Sequence, residues 1–76
     1  MQTVIVLVNL APGTENQTVS ALKGMVGLVE VYQLYGLYDL LLIVKGEDEQ
    51  SIKSSIMGEL RSNKNITSTI TMKVLD

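Results

Sequence analysis

The chain has 76 residues, six basic and eight acidic side chains, a net charge of −2, and no cysteine, histidine or tryptophan. That length allows one domain, over residues 1–76, with a core too small to be more than marginally stable alone. The composition excludes disulfides, thiolate and imidazole metal ligands and every His- or Cys-based catalytic set, and it fits a reducing, cytoplasmic setting.

Lys23, Lys45, Lys53, Arg61, Lys64 and Lys73 are scattered along the chain. No run of them forms a phosphate-tracking stripe, which argues against direct nucleic-acid binding. No apolar segment reaches the roughly 20 residues of a membrane helix, and Met1-Gln2-Thr3 lacks the positive segment of a signal peptide. No membrane partner is expected.

Thr3–Leu10 is predicted as a first strand, because Val4 to Val8 are aliphatic without a break. Ala11-Pro12-Gly13 stops it. Thr14 stands three residues before Gln17, the spacing of a capping box, and Glu15 suits the positive end of a helix dipole. Val19, Leu22 and Val26 recur at helical spacing. Gly24 is the expected terminator of that helix.

Leu28–Tyr35 and Asp39–Lys45 are predicted as two strands joined through a tight turn at Gly36. Leu40-Leu41-Leu42-Ile43-Val44 is apolar at every position, the mark of a strand buried on both faces. Asp48 is the expected N-cap of a second helix, whose buried stripe is Ile52, Ile56 and Leu60. Asn63 to Asn65 end it. Ile66–Leu75 is predicted as a last strand, with Ile66, Ser68, Ile70, Met72 and Val74 on one face and Thr67, Thr69, Thr71 and Lys73 on the other.

The order is β-α-β-β-α-β. Two split βαβ units make an α+β, ferredoxin-like plait: a four-stranded antiparallel sheet with both helices on one face. The helices cover one face only, yet the first and third strands carry apolar side chains on both. At about 25 cal/mol per Å², a bare patch of several hundred Å² is a drive of order 10 kcal/mol towards association, before association costs. Sheet-against-sheet dimerisation into a dimeric α+β barrel is expected.

Val8-Asn9-Leu10-Ala11-Pro12-Gly13, Gly27-Leu28-Val29-Glu30-Val31-Tyr32, the turn Gly36-Leu37-Tyr38-Asp39 running into Leu40–Val44, and Thr67-Ser68-Thr69-Ile70-Thr71-Met72-Lys73-Val74-Leu75 together resemble the effector-binding (RAM) domain of the Lrp/AsnC family of regulators. The resemblance covers nearly the whole chain. It implies dimers formed through the sheets, further assembly of dimers, and a small effector, usually an amino acid, held between dimers near the Gly36 turn. Full-length members carry a helix-turn-helix domain ahead of this module. A chain opening directly in the first strand is therefore expected to be a stand-alone form that works alongside full-length Lrp/AsnC regulators. Leu37 stands where the family often has a polar residue, and Ile70 where glutamate is common. Both change the polarity of an implied pocket.

An amino-acid ligand needs an anion for its ammonium and N–H or O–H donors for its carboxylate. Asp39 supplies the anion. Backbone amides around Gly36 and Leu37 form an anion-binding concavity. Thr67, Thr69 and Thr71 present hydroxyls, and Tyr35 and Tyr38 offer flat apolar walls with polar tips. The candidate ligand-binding set is therefore Tyr35, Gly36, Leu37, Tyr38, Asp39, Thr67, Thr69 and Thr71. Plainer uses exist for each. Asp39 can cap turn amides, Gly36 can serve positive φ alone, the threonines can be strand formers and the tyrosines interface filler. No catalytic residue, metal ligand or cofactor is expected.

Three classes of function follow. The first is a small-molecule-binding, homo-oligomeric regulatory module. The second is an oligomerisation adaptor without a ligand. The third, an enzyme on a small dimeric α+β barrel, has only Tyr and Asp to work with.

Overall fold

A computed structural model describes residues 1–75; Asp76 lies outside the described residues. The elements are β1 (Gln2–Leu10), α1 (Glu15–Leu22), β2 (Leu28–Gln33), β3 (Leu40–Gly46), α2 (Glu49–Ser62) and β4 (Ile66–Lys73). The strands form one sheet in the order β2-β3-β1-β4, antiparallel at every pairing. This is the expected ferredoxin-like plait.

The register decides which half of each apolar run meets the helices. Val6 lies opposite Leu42 and Thr71, and Leu7 opposite Leu41 and Ile70. Opposed residues share a face. Val4, Val6, Val8 and Leu10 therefore share a face with Leu40, Leu42 and Val44. They form one buried core with Leu22, Met25, Ile52, Ile56 and Leu60. The stripe predicted for α2 is correct, and Ile52, Ile56 and Leu60 are all buried.

The other face is open. Ile5, Leu7, Leu41 and Ile43 are half-buried by their own neighbours. Tyr32, opposite Leu41, is exposed, as are Ile70 and Met72. Polar groups ring this apolar centre: Thr3 pairs with Lys45, Asn9 Nδ2 donates to Ser68 Oγ at 3.1 Å, and the Tyr32 hydroxyl donates to Glu30.

Several local expectations are corrected. The helix expected to end at Gly24 ends at Leu22, with Lys23 as C-cap, so the helical spacing drawn on to Val26 does not apply there. Val26 is 78% exposed and Met25 takes the core position. Gly24 has no left-handed backbone; Gly27 does, at φ +89°. A Cβ at Gly27 would stand 2.7 Å from the Lys45 carbonyl oxygen, and Lys45 N–H donates to Gly27 O at 2.8 Å. Glycine at position 27 lets the chain enter β2 pressed against β3. The Thr14–Gln17 capping box does not form: Thr14 Oγ1 donates back to Ala11 O at 2.6 Å. Thr18, outside the predicted stripe, is fully buried, and its hydroxyl has no partner. β2 stops at Gln33, two residues before its expected end, and β4 stops at Lys73.

Asp48 caps α2 as predicted, its carboxylate accepting from Ser51 N–H at 2.7 Å. That bond, helped by Gln50 N–H, holds the Asp48 pKa below the ordinary aspartate value. A lowered folded-state pKa gives stability that is complete above the unfolded value and is lost as the pH falls through the folded one. Asp48→Ala is therefore expected to melt below the wild type at neutral pH, with the gap closing in acid. Thermal melts across an acid titration check this; a gap that persists in acid would assign the loss to something other than the carboxylate.

Candidate functional site

The segment from Leu34 to Asp39 joins β2 to β3, and backbone bonds hold its base. Leu34 N–H donates to Asp39 O at 2.8 Å, and Asp39 N–H donates to Val8 O at 2.9 Å. Gly36 has φ +143°, in the region where only glycine is comfortable. Tyr35 and Leu37 stand out in solvent at the tip, while Tyr38 and Asp39 are half-buried at the base.

Asp39 does more than turn the chain. Its Oδ2 accepts from Leu10 N–H at 2.7 Å, just beyond the Val8–Leu40 pair that closes the β1–β3 ladder. The carboxylate thus takes the place of a strand carbonyl where β3 has not yet begun. Oδ1 accepts no hydrogen bond among the described residues. Asp39→Ala would leave a part-buried Leu10 N–H orphaned, and about 1–3 kcal/mol of stability is expected to go. Asp39→Asn keeps an acceptor and is expected to melt close to the wild type. Denaturant melts of both variants check this.

An open groove of about 640 Å³ runs beside the turn, lined by Gln33, Leu34, Tyr35, Gly36 and Asp39 together with Glu15 and Asn16 from the first turn of α1. Two carboxylates and no basic group line it, so it favours a cation. The first-turn amides of α1 lack intrahelical partners and favour an anion. A small zwitterion matches both. Glu15 and Asn16 escape sequence reasoning as site residues. Glu15 reads as an ordinary helix-dipole residue, and only the packing of α1 beside the hairpin gives it this second neighbour.

The threonines lie elsewhere in the single chain. Thr69 and Thr71 sit opposite Val8 and Val6, hence on the helix face. Thr67 and Thr69 line a shallow groove with Leu60, Arg61 and Ile66. Thr71 lines a separate cavity of about 240 Å³ with Val4, Ile52, Ile56, Lys53 and Lys73. Tyr35, Gly36 and Asp39 thus come together in one groove, and Thr67, Thr69 and Thr71 do not join them. Among the described residues no group of three or more His, Cys, Asp or Glu side chains could hold a metal, and no helix is long and apolar enough to cross a membrane.

Residues 3–76 match the family model of the Lrp/AsnC ligand binding domain. The fold is also that of solved proteins. FFRP-DM1 is 29% identical with a TM-score of 0.92, over 99% of this chain and 100% of that one. The hypothetical protein PHS023 of Pyrococcus horikoshii is 29% identical with a TM-score of 0.91, over 99% of this chain and 90% of that one. The transcriptional regulator NMB0573 of Neisseria meningitidis, solved as an L-Met complex, is 14% identical with a TM-score of 0.86; 99% of this chain corresponds to 50% of that one. A comparison with curated proteins finds no match.

Proposed function

The chain belongs to the Lrp/AsnC ligand-binding domain family, and on that premise we propose that it is a cytoplasmic, non-enzymatic regulatory module that binds an amino acid as a homo-oligomer and acts with full-length regulators of its family. The observation that carries this reading is the groove at the Gly36 turn, which Asp39 and Glu15 line together with Asn16 from the first turn of α1, whose helix start has no side-chain cap. That arrangement suits an ammonium and a carboxylate on one carbon. The L-Met complex of the Neisseria meningitidis regulator supports the choice of an amino acid as ligand. Tyr35, Gly36, Leu37, Tyr38 and Asp39 form one half of the proposed site. Thr67, Thr69 and Thr71 come from another copy, because within one chain they line separate surfaces. The open apolar sheet face supports the oligomer that such sharing requires.

Titration calorimetry with the twenty amino acids, L-methionine among them, tests this. A ligand at a hundred times its Kd stabilises by about 2.7 kcal/mol, so thermal melts give an independent readout. In Asp39→Asn, affinity is expected to fall by about 1.5–3 kcal/mol, the scale of a charge-assisted hydrogen bond, with the apo melt unchanged. Equal affinity in the variant would remove Asp39 from the site. The Asp39–Leu10 bond favours a second reading, in which Asp39 serves only the strand end and the domain is a ligand-free adaptor; on that reading no amino acid shifts the melt.

A further inference from the structure

The groove beside the Gly36 turn is unevenly charged. Its lining holds the carboxylates of Glu15 and Asp39, the side-chain amides of Asn16 and Gln33, and no lysine or arginine. The two acids reach it from different elements, Glu15 from the first turn of α1 and Asp39 from the segment that leads into β3. An α-amino acid brings one ammonium group, and one carboxylate is enough to pair with it. Asp39 is the better held of the two for that role, because Leu10 N–H fixes its Oδ2 at 2.7 Å, beside the end of the β1–β3 ladder. Glu15 is then left without a counterpart on the ligand.

A glutamate in the first turn of a helix gains from the dipole wherever its side chain points, so its position on α1 alone gives Glu15 no ligand. The surroundings give it one. Leu34 and Tyr35 line the same groove. Leu34 is an apolar surface for a methylene stem, and the exposed ring of Tyr35 offers its faces to a cation. The amide oxygens of Asn16 and Gln33 accept hydrogen bonds from ammonium or guanidinium N–H groups. A neutral side chain in this groove would leave Glu15 unanswered, and an acidic one would be repelled by it.

We propose that the groove selects a basic amino acid, arginine or lysine, with Asp39 taking the α-ammonium and Glu15 the side-chain cation. The inference rests on the amino-acid reading given above and narrows it to one ligand class. The α-carboxylate keeps the donors already named, the first-turn amides of α1 and the threonine hydroxyls of the second copy. Arg61, which lines the groove of Thr67 and Thr69, is a cation on that second wall and suits the same carboxylate.

The test compares ligands that differ by one charge. L-arginine is set against L-citrulline, which has a neutral urea in place of the guanidinium. L-lysine is set against L-norleucine, which lacks only the terminal amine. In titration calorimetry of the wild-type chain, each cationic ligand is expected to bind about tenfold or more tightly than its neutral partner, the scale of one charge-assisted hydrogen bond. The gap is expected to shrink as salt is added. In Glu15→Gln the gap between arginine and citrulline is expected to vanish, while citrulline binds as it does to the wild type. In Asp39→Asn all four ligands weaken together. Agmatine, which is arginine without its carboxylate, is expected to bind more weakly than arginine.

Neutral ligands that bind as well as their cationic partners overturn the proposal. So does a Glu15→Gln protein that loses arginine and citrulline alike. Both results leave the amino-acid reading standing, since neutral amino acids still bind. Agmatine that matches arginine overturns the proposal as well, because the groove would then be a site for plain diamines. No binding by any of the twenty amino acids removes the proposal and the reading together. Should Glu15→Gln fail to fold, the paired ligands on the wild-type chain still decide.

Discussion

Leu42→Ala is expected to remove about 3–4 kcal/mol of unfolding free energy, the upper range for deleting a buried leucine side chain. Leu42 is fully buried in β3, with Val6 opposite it on one side and Val31 on the other. Those neighbours are held by two strand ladders and cannot collapse into the void. A domain of this size has a net stability of only several kcal/mol, so the variant should be partly unfolded at room temperature. Ile56→Ala removes a comparable volume from α2, which can settle towards the sheet, and about 2–3 kcal/mol is expected there. Urea melts give both numbers. A loss under about half a kcal/mol at Leu42 would contradict the core described here.

Leu7→Lys is expected to dissociate the oligomer while leaving each chain folded. Leu7 sits at the centre of the open face, flanked by Leu41 and Ile70, and points away from the core that Leu42 helps to fill. In a lone chain the lysine ammonium reaches water. In a sheet-on-sheet dimer it would be an unpaired charge in an apolar interface, a penalty of about 3–5 kcal/mol per buried charge. That raises the dimer Kd by roughly a hundred- to a thousandfold or more. Light scattering after chromatography at micromolar concentration distinguishes the states. A dimer that survives Leu7→Lys would place the interface on another surface, and a wild-type chain that is monomeric and soluble at that concentration would remove the sheet-face dimer altogether.

The two variants differ only in parity along adjacent strands, and parity is what the sequence states least clearly. An uninterrupted run such as Val4 to Val8 says that both faces are apolar. It does not say which face the helices take, because no polar position marks the outside. For the same reason the alternation of β4 puts Thr67, Thr69 and Thr71 on one face without saying which. Pairing with Val8 and Val6 turns Thr69 and Thr71 to the helix side, on a strand that the helices leave exposed.

Where polar and apolar positions alternate with a helical period, little was hidden. Ile52, Ile56 and Leu60 share one face of a 14-residue helix, and all three are buried. The first helix has only eight residues, barely two turns, and so short a pattern overruns easily. Val26 continues the apolar spacing past Gly24, and Met25, a residue at home inside or outside, gives no contrary signal. Thr14 misled in another way: a capping hydroxyl and one that donates to the preceding turn occupy the same sequence position. Of the proposed site, the turn itself is legible from Gly36 and Asp39, and Tyr35, Gly36 and Asp39 do line one groove. The part played by Asp39 in finishing the β1–β3 ladder is not legible, because Leu10 lies far from it in sequence and only the sheet brings the two together.

The central place of β1 in the sheet has a consequence for synthesis on the ribosome. The first strand made is paired on one side by β3 and on the other by β4, the last of the six elements. Translation proceeds from the N-terminus at about 5–20 residues per second, so for several seconds an aliphatic strand is out of the exit tunnel with no neighbour on either edge. Pairing with β3 covers one edge once Leu40–Gly46 has emerged, but the other stays bare until Ile66–Lys73 has emerged. The nascent polypeptide therefore passes through an obligatory aggregation-prone interval, and a stalled product ending before residue 66 is a natural client for chaperones or proteases.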